Sequence, residues 1–338
     1  MSDGMKALVT GASGFTGGHL VRVLAGAGWQ VRGLVRALPP GGAASVAGIG
    51  PAAAATVELV QGDLTDTDSL RRAMAGQTVV FNIAALYREA GLRPEAYRAV
   101  NADAVARIVE LAREVGVRRV VHCSTVGVHG DIAHPPAAED APIRPGDVYQ
   151  ETKVLGERLA RDAAERTGVE LVIARPTGIY GPGDRRLFKI FGAIATGRFV
   201  MLGSGRNFYH VTYIDDLCEG FRLCAVVPGA AGQIYILGGA EVPTLAELVR
   251  VTAEVAGVAP PRWRLPVLPV WLAGAACEAV CAPFGISPPL YRRRVDFFRK
   301  SRAFDISKAR RELGYAPRVG LREGIGRTLE WYREQRWI

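Results

Sequence analysis

Short apolar runs without a polar side recur along the chain, at Ala7 to Thr10, Gln30 to Val35, Val57 to Val60, Val79 to Ile83, Arg119 to Cys123 and Leu171 to Ala174. Between them the apolar positions fall at helical spacing, as in Leu20, Val21, Val23 and Leu24. Runs of this kind predict strands buried on both faces, and their alternation with helices predicts an α/β, doubly wound parallel sheet covered on each side. From about Ile179 the alternation loosens, which predicts a first region over 1–178 and a smaller lobe over 179–338, with the chain crossing back to the sheet between 205 and 240. Leu38 to Ala55 is Gly, Ala and Pro-rich and predicts a loose connection rather than a helix. Leu265 to Ile286 is apolar with Glu278 as its lone charge, but Pro266, Pro269 and Pro283 interrupt it. A helix that lines a pocket or docks on the core is therefore expected there in preference to a membrane contact, and a membrane span is not expected.

With 338 residues, 49% of them hydrophobic, the chain can bury a large core, which excludes a disordered or fibrous protein. Cys123, Cys218, Cys224, Cys277 and Cys281 are odd in number and lack the spacing of a zinc site or disulfide framework, so no metal is expected. The first residues carry no basic segment leading into an apolar stretch, and a cytoplasmic protein is expected. Net charge is +9, and from Ser287 to Ile338 there are 14 Lys and Arg against 6 Asp and Glu, a balance of +8, so the excess lies at the C-terminal end. The aromatic interleaving of a nucleic-acid binder is missing, and the expected partner is a small molecule.

Thr10-Gly11-Ala12-Ser13-Gly14-Phe15-Thr16-Gly17 follows the first apolar run and precedes the first helical pattern. In that setting glycines admit a pyrophosphate to the backbone, and a helix N-terminus faces it. Tyr149 and Lys153 stand four apart on a helical segment, so their side chains share a side, and an ammonium beside a phenol is expected to lower its pKa toward working pH. Such a phenol gives or takes the proton of an alcohol or ketone. Ser124 and Thr125 end a predicted strand at the edge of the sheet where ligands bind. No acid closes the second strand: Val35 and Arg36 stand there, which suits the 2′-phosphate of NADP better than the bare ribose of NAD.

In this order the motifs resemble those of the extended short-chain dehydrogenase/reductase family, the NAD-dependent epimerase/dehydratase superfamily, over nearly the whole chain. The resemblance adds Asp63 and Leu64 in Gly62-Asp63-Leu64, Ala84-Ala85, Asn101, and Arg175-Pro176 leading to Gly181-Pro182-Gly183-Asp184. It implies a Rossmann-type fold with a C-terminal substrate lobe, and cofactor contacts from Thr10 to Gly17, Arg36, Asp63, Leu64, Ala84, Ala85, Lys153 and Pro176. It implies Tyr149 as acid/base, Lys153 as its partner on the nicotinamide ribose, Thr125 in preference to Ser124 on the reacting oxygen, and Asn101 at a helix kink supporting a proton relay. A homodimer through the helices that carry Asn101 and Tyr149 is also implied.

Departures from the pattern bear on the reaction. Val126-Gly127 stand where the sugar-nucleotide dehydratases place an acidic pair, and Tyr209 stands where the epimerases carry an arginine for the substrate diphosphate. With the apolar Leu265 to Ile286 stretch, this resembles the 3β-hydroxysteroid dehydrogenase and dihydroflavonol reductase branch. The leading expectation is an NADP- or NAD-dependent oxidoreductase for a bulky, largely apolar alcohol or ketone, with Thr177 and Tyr209 on the substrate. A sugar-nucleotide 4-epimerase with bound NAD remains open, with Arg206 or the Arg292 to Arg294 run replacing the missing arginine. So does a non-catalytic dinucleotide-binding protein.

Overall fold

Seven parallel strands make the central sheet of the computed structural model, which describes residues 4–46, 49, 56–89, 91–284 and 288–338. In chain order they are β1 (Lys6–Thr10), β2 (Gln30–Val35), β3 (Val57–Gln61), β4 (Val79–Asn82), β5 (Arg119–Cys123) and β6 (Glu170–Pro176), followed after three short strands by β10 (Ile234–Leu237). The short strands are β7 (Gly178–Tyr180), β8 (Met201–Leu202) and β9 (Val211–Tyr213). The sheet order is β3-β2-β1-β4-β5-β6-β10, so its direction of winding reverses between β1 and β4. Ligands of open α/β sheets bind at such a reversal, beyond the carboxyl ends of the strands.

The helices, in chain order, are α1 (Phe15–Gly26), α2 (Thr67–Met74), α3 (Pro94–Arg98), α4 (Ala104–Val115), α5 (Val148–Thr167), α6 (Phe188–Ala195), α7 (Ile214–Val226), α8 (Leu245–Ala256), α9 (Val267–Cys281), α10 (Arg292–Asp296), α11 (Ser307–Leu313) and α12 (Leu321–Glu334). Strand residues alternate between two apolar layers, as a period of two requires. Ala7, Val9, Phe81 and Val121 join Leu20 and Leu24 of α1 and Leu217 and Phe221 of α7. Leu8, Val80 and Val120 join Leu70 of α2, Val105 and Ile108 of α4 and Ala160 of α5. All of these are buried, which explains the absence of a polar side in the sequence runs.

Past β6 the chain builds the smaller lobe, where β7 pairs with β9 and β8 with β11 (Arg264–Leu265). It returns to the sheet through α7, which packs on α1, and through β10 at the β6 edge. Of the Gly, Ala and Pro-rich stretch, Gly42–Ser45 forms one 3-10 turn, while residues 47–48 and 50–55 lie outside those described.

The apolar Leu265 to Ile286 stretch departs from expectation. It forms α9 straight through Pro269, whose missing N–H falls in the first turn where no intrahelical partner is needed. Gly274 is its only buried residue, so α9 neither docks on the core nor lines the cleft described below. Ile286 itself lies outside the described residues.

Candidate active site

A cleft of about 900 Å³ opens over the reversal point of the sheet. Its floor is the loop between β1 and α1. Gly11 sits in the left-handed region at φ 69° against Ala84, and its carbonyl accepts from Gly14 N at 2.9 Å. A Cβ on Gly17 would lie 2.1 Å from the Gly11 oxygen, so only glycine lets the helix approach the strand this closely. Gly14 caps α1 without a side chain, which leaves first-turn N–H groups pointing into the cleft.

Thr10 is buried and holds the loop from below. Its hydroxyl accepts from Ile83 N and Ala84 N, both at 3.0 Å, so its own proton goes to Asn82 Oδ1 at 2.9 Å. Asn82 Nδ2 then donates to His122 Nδ1 at 3.2 Å, which places the imidazole proton on Nε2. That nitrogen lies 3.4 Å from Lys153 Nζ, and the ammonium donates instead to the Cys123 carbonyl oxygen at 2.6 Å. A buried chain of hydrogen bonds thus runs from the glycine loop to His122, with Lys153 beside its end. Burial pushes the pKa of Lys153 down, and burial followed by the Lys153 charge pushes that of His122 well down, so the histidine is neutral.

Tyr149 lies one residue into α5, whose N-terminus is capped by Asp147 accepting from Gln150 N at 2.9 Å. Its phenol is held above the ordinary tyrosine value, by burial first and then by Cys123 and Tyr87, against the opposing charges of Arg186 and Arg88. This differs from the lowered pKa expected of the Tyr149–Lys153 pair: burial dominates, and the Lys153 ammonium is tied to the Cys123 carbonyl. The Tyr149 phenol is therefore protonated at neutral pH.

Thr125 and Ser124 separate by partner. Thr125 Oγ1 accepts from Gly127 N at 3.0 Å, and its proton has no protein acceptor among the described residues, so it is free to donate into the cleft. Ser124 instead donates to Glu157, a buried carboxylate that Arg175 grips with Nε at 3.0 Å and Nη2 at 2.6 Å. Arg175 Nη1 also reaches His129 Nε2 at 3.1 Å. Ser124 thus belongs to a structural ion-pair network under the cleft.

Asn101 lies in a π-helical turn over Ala99–Asp103, where the family resemblance implies a kink. Its Oδ1 accepts from Leu86 N at 2.9 Å, and its Nδ2 donates to Leu86 O at 3.0 Å and Thr152 Oγ1 at 3.2 Å. Its carbonyl faces Gly156 of α5, where a Cβ would come within 2.2 Å. The side chain clamps the segment after β4 to α5 and does not line the cleft.

Of the remaining candidates, Ser13, Phe15, Thr16, Arg36, Asp63, Leu64, Ala84, Ala85, Pro176, Thr177 and Tyr209 all line the cleft. Thr177 Oγ1 is buried without a hydrogen-bond partner, a vacant valence beside Pro176. Arg206 is exposed and stays off the cleft, so the structure does not bring it to the site. The side chain of Arg294 lies outside the described residues.

Sequence reasoning missed a cluster above Tyr149. The Tyr87 ring meets the Tyr149 ring edge-on at 4.8 Å, and the Arg88 guanidinium lies 5.1 Å from the first ring and 5.7 Å from the second. Arg88 holds a left-handed backbone, φ 48°, and donates from Nε to Asp147 Oδ2 at 2.9 Å. A non-glycine residue in that conformation is strained, and such strain gathers at functional sites. The Arg186 guanidinium lies 5.3 Å from the Tyr87 ring centroid. The available signal was Asp147, an N-cap residue directly before the Tyr149 helix.

The glycine loop, the free first-turn N–H groups and the unpartnered Thr177 hydroxyl fit a nicotinamide dinucleotide laid across the reversal point. The sequence matches the family described as NAD dependent epimerase/dehydratase over residues 7–238. It is 30% identical to a 3 beta-hydroxysteroid dehydrogenase/Delta 5-->4-isomerase of Mycobacterium tuberculosis, over 97% of this chain and 90% of that one. It is likewise 30% identical to the 2-alkyl-3-oxoalkanoate reductase of Stenotrophomonas maltophilia, over 96% of this chain and 98% of that one. Among solved structures, the dTDP-glucose 4,6-dehydratase DesIV of Streptomyces venezuelae with NAD bound superposes with a TM-score of 0.77 at 28% identity, covering 98% of both chains.

Proposed function

The chain belongs to the NAD dependent epimerase/dehydratase family, whose members are NAD-dependent enzymes of the extended short-chain dehydrogenase/reductase type, and on that premise we propose the reaction it performs. It interconverts a secondary alcohol and a ketone on a bulky, largely apolar molecule, with NADP(H) preferred over NAD(H). The observation that carries this reading is Tyr209. At the position of the epimerases' diphosphate-binding arginine stands a half-buried ring packed at 4.8 Å against Phe297, and Phe298, Ile190 and Phe304 extend that apolar wall of the cleft. An aromatic wall favours a hydrocarbon skeleton and gives a diphosphate no bidentate partner. A hydroxysteroid dehydrogenase and an oxoalkanoate reductase among the relatives, both acting on such carbon skeletons by name, support the same reading.

When bound, the nicotinamide ring supplies or accepts the hydride. In reduction Tyr149 Oη gives its proton to the carbonyl oxygen, and in oxidation it takes that proton back. Thr125 Oγ1, anchored by Gly127 N, donates to the same oxygen and fixes its orientation. Lys153, which donates to the Cys123 carbonyl oxygen below the site, would hold the nicotinamide ribose when the cofactor is bound. Arg36, exposed at the end of β2 on the cleft wall, suits a ribose 2′-phosphate.

One observation favours the sugar-nucleotide epimerase as a second reading: Arg186, Lys189 and Arg302 also line the cleft and supply cations for a diphosphate. Incubation with apolar ketones and with sugar nucleotides, followed at the absorbance band of the reduced cofactor, separates the two. Stoichiometric cofactor consumption with a ketone supports the oxidoreductase, whereas an epimeric sugar formed without net cofactor change overturns it.

A further inference from the structure

Helix α9 and its extension to Phe284 form an 18-residue apolar segment with a mean hydropathy of 1.6, the one segment among the described residues long and apolar enough to cross a membrane. One side of α9 rests on α10. Gly274 packs against the backbone of Arg292, Glu278 accepts from Arg292 N and Nε at 2.7 and 2.6 Å, and the Arg292 and Arg299 guanidinium groups lie over the Trp271 ring. The other side is bare: Leu268 is 64% exposed, Leu272 53% and Val280 66%. Trp263 and Phe284 stand exposed at the two ends. A contiguous apolar patch of this kind on a protein surface marks an interaction site.

We propose that α9 lies in the interfacial plane of a lipid bilayer carrying anionic headgroups, with its Leu268, Leu272 and Val280 face among the acyl chains. Charge decides the occupant. From Val258 to Phe304 the sequence has eight Arg and Lys against two acids, Glu278 and Asp296, and each of those acids is already paired, with Arg292 and with Lys300 and Arg299. Arg262 and Arg264, exposed just before α9, together with Arg292, Arg299 and Lys300 on its α10 side, leave this region with an excess of positive charge that an anionic surface neutralises. A second copy laid on the same face would set those cations against their equivalents. The Glu278–Arg292 pair and the Gly274 contact hold α9 flat against the protein, because a spanning orientation would carry Arg292 and Arg299 into hydrocarbon. The contact also has a position relative to the cleft: α10 leads directly into Phe297 and Phe298, which line the cleft, so the bilayer face adjoins the substrate end. The proposal does not depend on the reaction assigned to that cleft.

The full-length protein is sedimented with vesicles of phosphatidylcholine alone and of phosphatidylcholine with phosphatidylglycerol, at low and high salt, with light scattering on the lipid-free protein. The expected result is binding to the anionic vesicles that falls by roughly tenfold or more at high salt, as screened surface charge requires, and is lost in Leu272→Glu/Val280→Glu. Both positions are exposed, so the variant keeps its fold, checked by an unchanged unfolding midpoint, and its activity on a water-soluble ketone. Quenching of tryptophan fluorescence by bromolipids should accompany binding. Failure to bind anionic vesicles overturns the proposal, as does salt-insensitive binding equal on both compositions. A dimer that Leu272→Glu/Val280→Glu dissociates also overturns it, since a second copy is then what covers the face.

Discussion

Replacing Gly17 by alanine places a Cβ 2.1 Å from the Gly11 carbonyl oxygen, 2.7 Å from its carbon and 3.1 Å from Ala12 Cα. All three neighbours are backbone, and a Cβ on Gly11 would itself meet Ala84 at 3.0 Å, so the loop has no flexible side chain to move aside. Restoring ordinary contact requires a displacement of roughly 1 Å, and overpacking of that kind costs about 1 to 3 kcal/mol. Part of the strain is relieved by moving the loop out of register with the dinucleotide, so affinity for the reduced cofactor should fall by about 5- to 150-fold if the whole cost appears in binding. Gly14→Ala is the internal comparison, since its Cβ would meet only the Gly11 oxygen at 3.2 Å, and its loss should be several-fold at most. Fluorescence titration of NADPH and NADH measures both, with the unfolding midpoint recorded to separate loop strain from global destabilisation. Gly17→Ala binding as tightly as the natural protein, or more tightly than Gly14→Ala, refutes the assignment of this loop as the pyrophosphate cradle.

Three further outcomes follow from other parts of the structure. Arg175→Met leaves Glu157 buried without its bidentate partner, which should lower stability by about 3 to 5 kcal/mol in a urea titration; a change below about 1 kcal/mol contradicts a buried ion pair. His122, His129 and His210 all have folded-state pKa values lowered, first by burial, so the unfolded chain binds more protons below pH 6.5 and stability should fall as the pH drops from about 6.5 to 5. A stability that is flat or rises on acidification over that range is the contrary result. Arg36→Asp should shift the ratio of kcat/KM for NADPH over NADH toward NADH by roughly 10- to 100-fold, and an unchanged ratio removes Arg36 from cofactor choice.

The sheet was legible because its strands are covered on both faces, so Val79 to Phe81 and Val120 to Val121 carry no polar alternation to confuse with a helix or loop. The cofactor loop was legible because glycine is the only residue that fits at Gly11 and Gly17, a constraint written in the letters themselves. Side-chain partners were not. Ser124 and Thr125 are adjacent hydroxyls in the sequence, and only the approach of Glu157, 33 positions away, shows that the first is occupied. The Tyr87, Arg88 and Asp147 cluster joins segments 59 residues apart through one ion pair, which no local pattern encodes. The pKa of Tyr149 followed burial, which spacing to Lys153 does not report. Helix α9 escaped for a related reason: an apolar run states that something covers it without stating whether that cover is the protein's own core.

Transfer of a labelled hydride to the carbinol carbon, with Tyr149 supplying only the proton, tests the account most directly. The protein is given NADPH deuterated at the transferring C4 position together with a long-chain ketone, and the alcohol formed is weighed by mass spectrometry. The account predicts one deuterium at the carbinol carbon for each NADPH oxidised, with Tyr149→Phe losing turnover while still binding cofactor. An alcohol free of deuterium, or turnover by Tyr149→Phe at the natural rate, contradicts it.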